Sequence, residues 1–140
     1  MINWSFPPAG VIKLNTDGSF VASSNRAGYG GVFRDEKGEW MLGYYGFIGN
    51  NYVLNAEMWS IHQGLKIAKE RNWNNLLVET DSEATVQLIK SEKEEDHPLG
   101  VLMKDCRMIL EYTNGSIQHV WREGNMCADS LAKLGGLQND

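Results

Sequence analysis

The hydrophobic pattern of this chain first changes period near residue 55, and that change restricts the architectures open to it. Before it, apolar and polar residues alternate in three stretches, the period of half-buried strands. In the first, residues 11–20, Val11, Lys13, Asn15 and Asp17 share one face, and Ile12, Leu14 and Thr16 share the other. The second, residues 28–35, is glycine-rich and then apolar, and its glycines point to a close backbone approach or a bulge. Glu36, Lys37 and Gly38 make a turn into the third, residues 39–48, which carries Trp40, Leu42, Tyr44, Tyr45 and Phe47. Three strands so linked predict an antiparallel meander.

Beyond the change, Met58, Ile61, Leu65 and Ala68 recur at helical spacing from Asn55 to about Arg71, where Asn72, Asn74 and Asn75 stop the helix. Leu76, Leu77 and Val78 form a short apolar run, as in a buried strand, that ends at Thr80-Asp81-Ser82. Val86 and Ile89 mark a second helix, and Leu102, Met103, Cys106, Ile109 and Leu110 a third. After an Asn114-Gly115 turn, Ile117, His119 and Trp121 alternate in a last strand, and Ala128, Leu131, Ala132 and Leu134 belong to a C-terminal helix. The order β-β-β-α-β-α-α-β-α predicts an α/β domain, a mixed sheet with helices on its faces.

A length of 140 residues suits one such domain, over 11–136. Residues 1–10, with Pro7, Pro8 and Gly10, form an irregular lead-in that also fits the end of a linker from a larger polyprotein, and 137–140 form a tail. No apolar run approaches the roughly 20 residues of a membrane span, and no signal peptide opens the chain. An intracellular monomer without membrane partners is expected, in nucleus or cytoplasm. Cys106 and Cys127 are then reduced, partly buried thiols. A net charge of -5 argues against a strongly basic DNA-coating protein. It leaves nucleic acid open as a substrate, because metal ions bridge acidic side chains to phosphates.

Four carboxylates fall where this layout brings them together. Asp17 ends the core segment of the first strand, Glu57 lies in the first turn of the first helix, Asp81 ends the fourth strand, and Asp129 lies near the start of the last helix. Singly, each has an ordinary structural reading. Asp17-Gly18 fits a turn, Glu57 a helix-dipole partner, Asp81 a helix cap, and Asp129 an ion pair with Lys133. As a set they would repel one another, and divalent cations are the usual resolution. Hard oxygen ligands suit Mg²⁺ or Mn²⁺, and two such ions about 3.5–4 Å apart clamp the attacking and leaving oxygens of a phosphoryl transfer.

The segments Lys13-Leu14-Asn15-Thr16-Asp17-Gly18-Ser19, Gly28-Tyr29-Gly30-Gly31-Val32, Ala56-Glu57, Glu79-Thr80-Asp81-Ser82, Arg122-Glu123-Gly124-Asn125 and Ala128-Asp129-Ser130-Leu131-Ala132 together resemble type 1 ribonuclease H. They are most similar to the ribonuclease H-like domains of plant non-LTR retroelement proteins, from about Trp4 to Gly135. The resemblance implies a ribonuclease H-like fold, with a five-stranded mixed sheet of three antiparallel and two parallel strands. It implies hydrolysis of the RNA strand of RNA–DNA hybrids with two Mg²⁺ ions, ligated and put to catalytic use by Asp17, Glu57, Asp81 and Asp129. Gly18, Ser19, Ser82, Arg122 and Asn125 are the implied substrate contacts.

Three features depart from that family. The mobile loop that carries a catalytic His in many members is here the short link Trp121-Arg122-Glu123-Gly124, which leaves Arg122 or Glu123 to fill its place. His119 falls within a strand and is assigned no catalytic role. Val53 and Leu54 stand where Asn or Gln usually precede the helical Glu, and 92–96 is mostly acidic where a basic protrusion would fall. A second reading is therefore a catalytically weak or inactive domain that binds nucleic acid or protein. A third is another metal nuclease of the superfamily, against which the Ala128–Ala132 segment favours the ribonuclease branch.

Overall fold

The computed structural model describes residues 10–21, 26–48, 53–91, 97–121 and 131–132. Alternation in the first third of the chain produces the expected meander: β1 (Ile12–Val21), β2 (Arg26–Arg34) and β3 (Trp40–Phe47), antiparallel in succession. Asp35 closes the second turn, its Oδ1 accepting from the amides of Lys37 and Glu39, both at 2.9 Å, with Gly38 at φ 77°. The bulge in this meander lies at Phe33/Arg34, away from the paired glycines.

Helix α1 (Val53–Glu70) follows, starting two residues earlier than its apolar spacing indicates. Met58, Ile61, Leu65 and Ala68 form a fully buried stripe on it, each large member contributing about 1.5–3 kcal/mol. Asn72, at φ 56°, turns the chain out of the helix in the left-handed conformation that Asn tolerates. Trp73 then packs edge-on against Phe33, ring centroids 5.0 Å apart. β4 (Leu76–Thr80) returns parallel to β1, and after α2 (Glu83–Lys90) and α3 (Gly100–Tyr112), β5 (Ser116–His119) lies parallel to β4. The sheet order is β3-β2-β1-β4-β5, five strands with two parallel pairs.

Alternation along β1 and β2 separates two sheet faces. Leu14 and Phe33 pair across the strands and join the α1 stripe, with Val78, Met103, Cys106 and Ile109, in one core. Gly31 lies on that face and makes room for Tyr44, whose hydroxyl donates to the Ser60 carbonyl at 2.6 Å. Gly30, on the opposite face, lets the backbone of Leu131 and Ala132 approach so closely that a Cβ would collide with it. The glycine pair thus admits a β3 ring on one face of β2 and helical chain on the other. Leu131 and Ala132 are helical as expected; the rest of the C-terminal helix, like Cys127, lies outside the described residues.

Trp121 is a correction: β5 stops at His119, the Val120 amide makes a last bond to the Thr80 carbonyl at 2.8 Å, and Trp121 is exposed. Cys106 is fully buried, which pushes its thiol up to about 12. Among the described residues no helix is long and apolar enough to cross a membrane.

Candidate active site

The parallel pair β1/β4 ends unevenly. Their pairing stops at Thr16 opposite Thr80, but β1 runs on to Val21 against β2. Asp17 is therefore the first β1 residue beyond the edge of β4, and Asp81 the first residue past β4 itself. Ligand sites of open α/β sheets form at such carboxyl ends. Asp17 lies inside a strand, paired with Gly30, as the 11–20 stretch predicts, and the turn reading of Asp17-Gly18 falls. β2 alone pairs with this part of the strand, which local sequence does not show.

The third acid arrives through a close approach. A Cβ on Gly18 would lie 2.5 Å from the Glu57 amide nitrogen and 2.8 Å from the Ala56 Cβ. With no side chain there, the α1 backbone rests directly on β1 and presents Glu57 beside Asp17. Because α1 begins at Val53, Glu57 sits beyond the first turn, which has no acidic residue, and the helix-dipole role lapses.

Carboxylate oxygens of Asp17, Glu57 and Asp81 all lie within 4.8 Å of one another. Asp17 and Glu57 are 3% and 5% exposed, so water screens them poorly. Burial first, and the neighbouring Asp81 charge second, push the Glu57 carboxyl up to about 7 from its ordinary 4.5. Hydrogen bonds with Asp17, the Gly18 amide and the Thr80 hydroxyl oppose that rise without cancelling it. The Thr80 hydroxyl donates to Glu57 Oε2 at 3.3 Å and accepts from the Ser82 amide at 3.2 Å. Sequence reasoning passed over Thr80; its place immediately before Asp81 was the available signal. This set offers hard oxygen donors, and a divalent cation would offset the Asp81 repulsion and stabilise the buried Glu57 charge, so the residues fit such an ion.

The other expected site residues divide. Ser82 caps α2, its Oγ accepting from the Thr85 amide at 3.3 Å and sharing a 2.7 Å bond with the Thr85 hydroxyl. Ser19 is half-buried on β1 opposite Gly28. Asp129, Arg122 and Asn125 lie outside the described residues. His119 ends β5 on the surface, its ring edge-on to Trp121 at 5.6 Å.

A mixed sheet in this order, with carboxylates gathered at the end of its central parallel pair, defines a ribonuclease H-like domain. The chain belongs to the Reverse transcriptase-like family, which matches residues 15–135. An Arabidopsis thaliana protein that carries a ribonuclease H name is 38% identical over 133 residues, covering 94% of this chain. The chain spans only 22% of that relative's length. The fold is that of ribonuclease H1 from the halophilic archaeon Halobacterium salinarum, with TM-score 0.80, 22% identity, and coverage of 89% of this chain and 96% of that one. LC11 ribonuclease H1, solved in complex with an RNA/DNA hybrid, gives 0.78 at 24% identity, covering 89% and 96%. A foamy viral protease-reverse transcriptase, also solved with a hybrid, gives 0.75 at 20% identity over 91% of this chain and 20% of that one.

Proposed function

We propose that this domain is a divalent-metal-dependent endonuclease that hydrolyses the RNA strand of RNA–DNA hybrids. The observation that carries the proposal is the convergence of Asp17, Glu57 and Asp81, from three separate elements, to within 4.8 Å at a strand end. Family membership and two fold relatives solved with hybrids support it. In this reading Asp17, Glu57, Asp81 and Asp129 hold two Mg²⁺ or Mn²⁺ ions. When bound, such ions supply an activated water and stabilise charge on the leaving oxygen.

The chain's own residues do the rest. Glu57, poised near neutrality, gives up its proton as the cations bind, so affinity rises with pH through about 7. Thr80 holds Glu57 by its hydroxyl, and Ser82 fixes the start of α2 directly after Asp81. Asp17 Oδ1 accepts from the Gly18 amide at 2.9 Å, which orients the carboxylate. Backbone near Gly18, with Ser19, Ser82, Arg122 and Asn125, contacts the hybrid, and discrimination of RNA comes from its 2′-hydroxyls. The domain works as a monomer within a longer retroelement-type protein.

The test is a panel of labelled RNA–DNA hybrid, single-stranded DNA and duplex DNA, each with Mg²⁺ and with EDTA. The proposal expects cleavage of the RNA strand of the hybrid alone, and only with metal. Binding without cleavage would establish the non-catalytic reading, and cleavage of DNA would move the domain to another branch of the superfamily.

A further inference from the structure

A second polar cluster lies one rung behind the acids and takes no part in the proposed chemistry. Glu79 is 5% exposed, and both its oxygens are engaged. Oε1 accepts from Asn15 Nδ2 at 3.1 Å, and Oε2 accepts from Gln118 Nε2 at 2.8 Å and faces Lys13 Nζ at 3.4 Å. Lys13 and Asn15 are each 2% exposed. Asn15, Glu79 and Gln118 are register partners across β1, β4 and β5, so their side chains form one rung over three strands.

Burying such a pair is seldom a net gain in stability over apolar side chains of the same volume, and its best-attested use is to fix register. Here register has chemical content. Asp17 lies two residues beyond Asn15, and Asp81 two residues beyond Glu79, each just past the last β1/β4 pair, Thr16 opposite Thr80. A slip of β4 by one residue would turn Asp81 to the other face, and a slip of two would carry it about 6.6 Å along the strand.

We propose that Glu79 is a positioning residue for the metal site. With Lys13, Asn15 and Gln118 it locks β4 against β1 and β5, and so sets the spacing at which Asp17 and Asp81 share a divalent cation. The inference rests on the metal-binding reading above, but not on any reading of the substrate.

The test measures Mn²⁺ affinity by calorimetry, beside thermal melting in EDTA, for the parent and for Lys13→Met/Glu79→Leu. That double change removes both charges and keeps apolar volume. The proposal expects affinity at least tenfold weaker in a protein that still melts cooperatively in EDTA. A merely structural role would alter the melt and leave affinity within twofold, which would overturn the proposal. Should the double variant not fold, Gln118→Ala decides, because residue 118 is exposed: affinity weakened threefold or more supports the clamp, and unchanged affinity overturns it. A parent that binds no Mn²⁺ would overturn both this inference and the metal-site reading. A parent that binds Mn²⁺ but cleaves no hybrid would overturn the substrate reading alone.

Discussion

Gly18 and Glu57 show how a backbone requirement becomes a chemical one. A methyl group at 18 meets α1 backbone at 2.5 Å, which cannot yield as a flexible side chain would. Gly18→Ala should therefore destabilise the fold by about 1–3 kcal/mol, as overpacking does. It should also shrink the rise in melting temperature that Mg²⁺ produces, since Glu57 moves with the helix. Denaturant unfolding checks the first effect, and thermal melting with and without Mg²⁺ checks the second. Glu57 itself makes stability depend on pH. Its folded value of about 7 lies above the ordinary 4.5, so between those limits the folded state holds a proton that the unfolded state has lost. Metal-free stability should fall as pH rises from 4.5 to 7, by on the order of 3 kcal/mol, and level off above. Glu57→Gln should flatten that dependence in urea unfolding with EDTA. A parent curve already flat from pH 4.5 to 8 would contradict the shift. Asp17→Asn removes one of three carboxylates gathered within 4.8 Å and, where that relief exceeds the loss of its hydrogen bond with Glu57, should raise the metal-free melting temperature, by on the order of 1 kcal/mol of stability. Added Mg²⁺ should then stabilise the parent more than the variant. A lower melting temperature in EDTA would mean that Asp17 makes a structural bond worth more than the repulsion.

Among the elements, those defined by local periodicity were legible in the sequence and those defined by distant pairing were not. The α1 stripe and its stop at Asn72 follow from spacing and order. The length of β1 was legible too, 11–20 expected against Ile12–Val21; spacing did not show that β2 alone pairs with residues 17–21. All four acids were singled out by their neighbours; the structure brings Asp17, Glu57 and Asp81 together, and Asp129 lies outside the described residues. The Lys13–Glu79 pair was illegible for a different reason. Charged residues in an alternating strand read as solvated, and only the partner strand shows them buried and matched. His119 was placed in the last strand from alternation alone, and it ends β5 exposed to solvent. His119→Ala should change stability by less than about 0.5 kcal/mol and turnover by less than about twofold. A hundredfold loss of turnover with the fold intact would assign it a role in proton transfer.

For the molecule as a whole, the proposed function sets a sheet-held cluster of acids against a surface of net negative charge. A net charge of -5 makes few phosphate contacts available. Hybrid binding should be weak, and its salt dependence shallow, with a log–log slope smaller in magnitude than about 3. A steeper fall in affinity with salt would reveal a basic binding surface. The central claim is that the carboxylates just beyond the β1/β4 pairing make this fold a metal-dependent ribonuclease. Its most direct test is cleavage of a hybrid labelled on the RNA strand by the parent and by Asp17→Asn, in Mg²⁺ and after thorough chelation. The account predicts cleavage by the parent in Mg²⁺ alone, and loss of at least about a hundredfold in Asp17→Asn. Cleavage that survives chelation, or that Asp17→Asn retains, would contradict it.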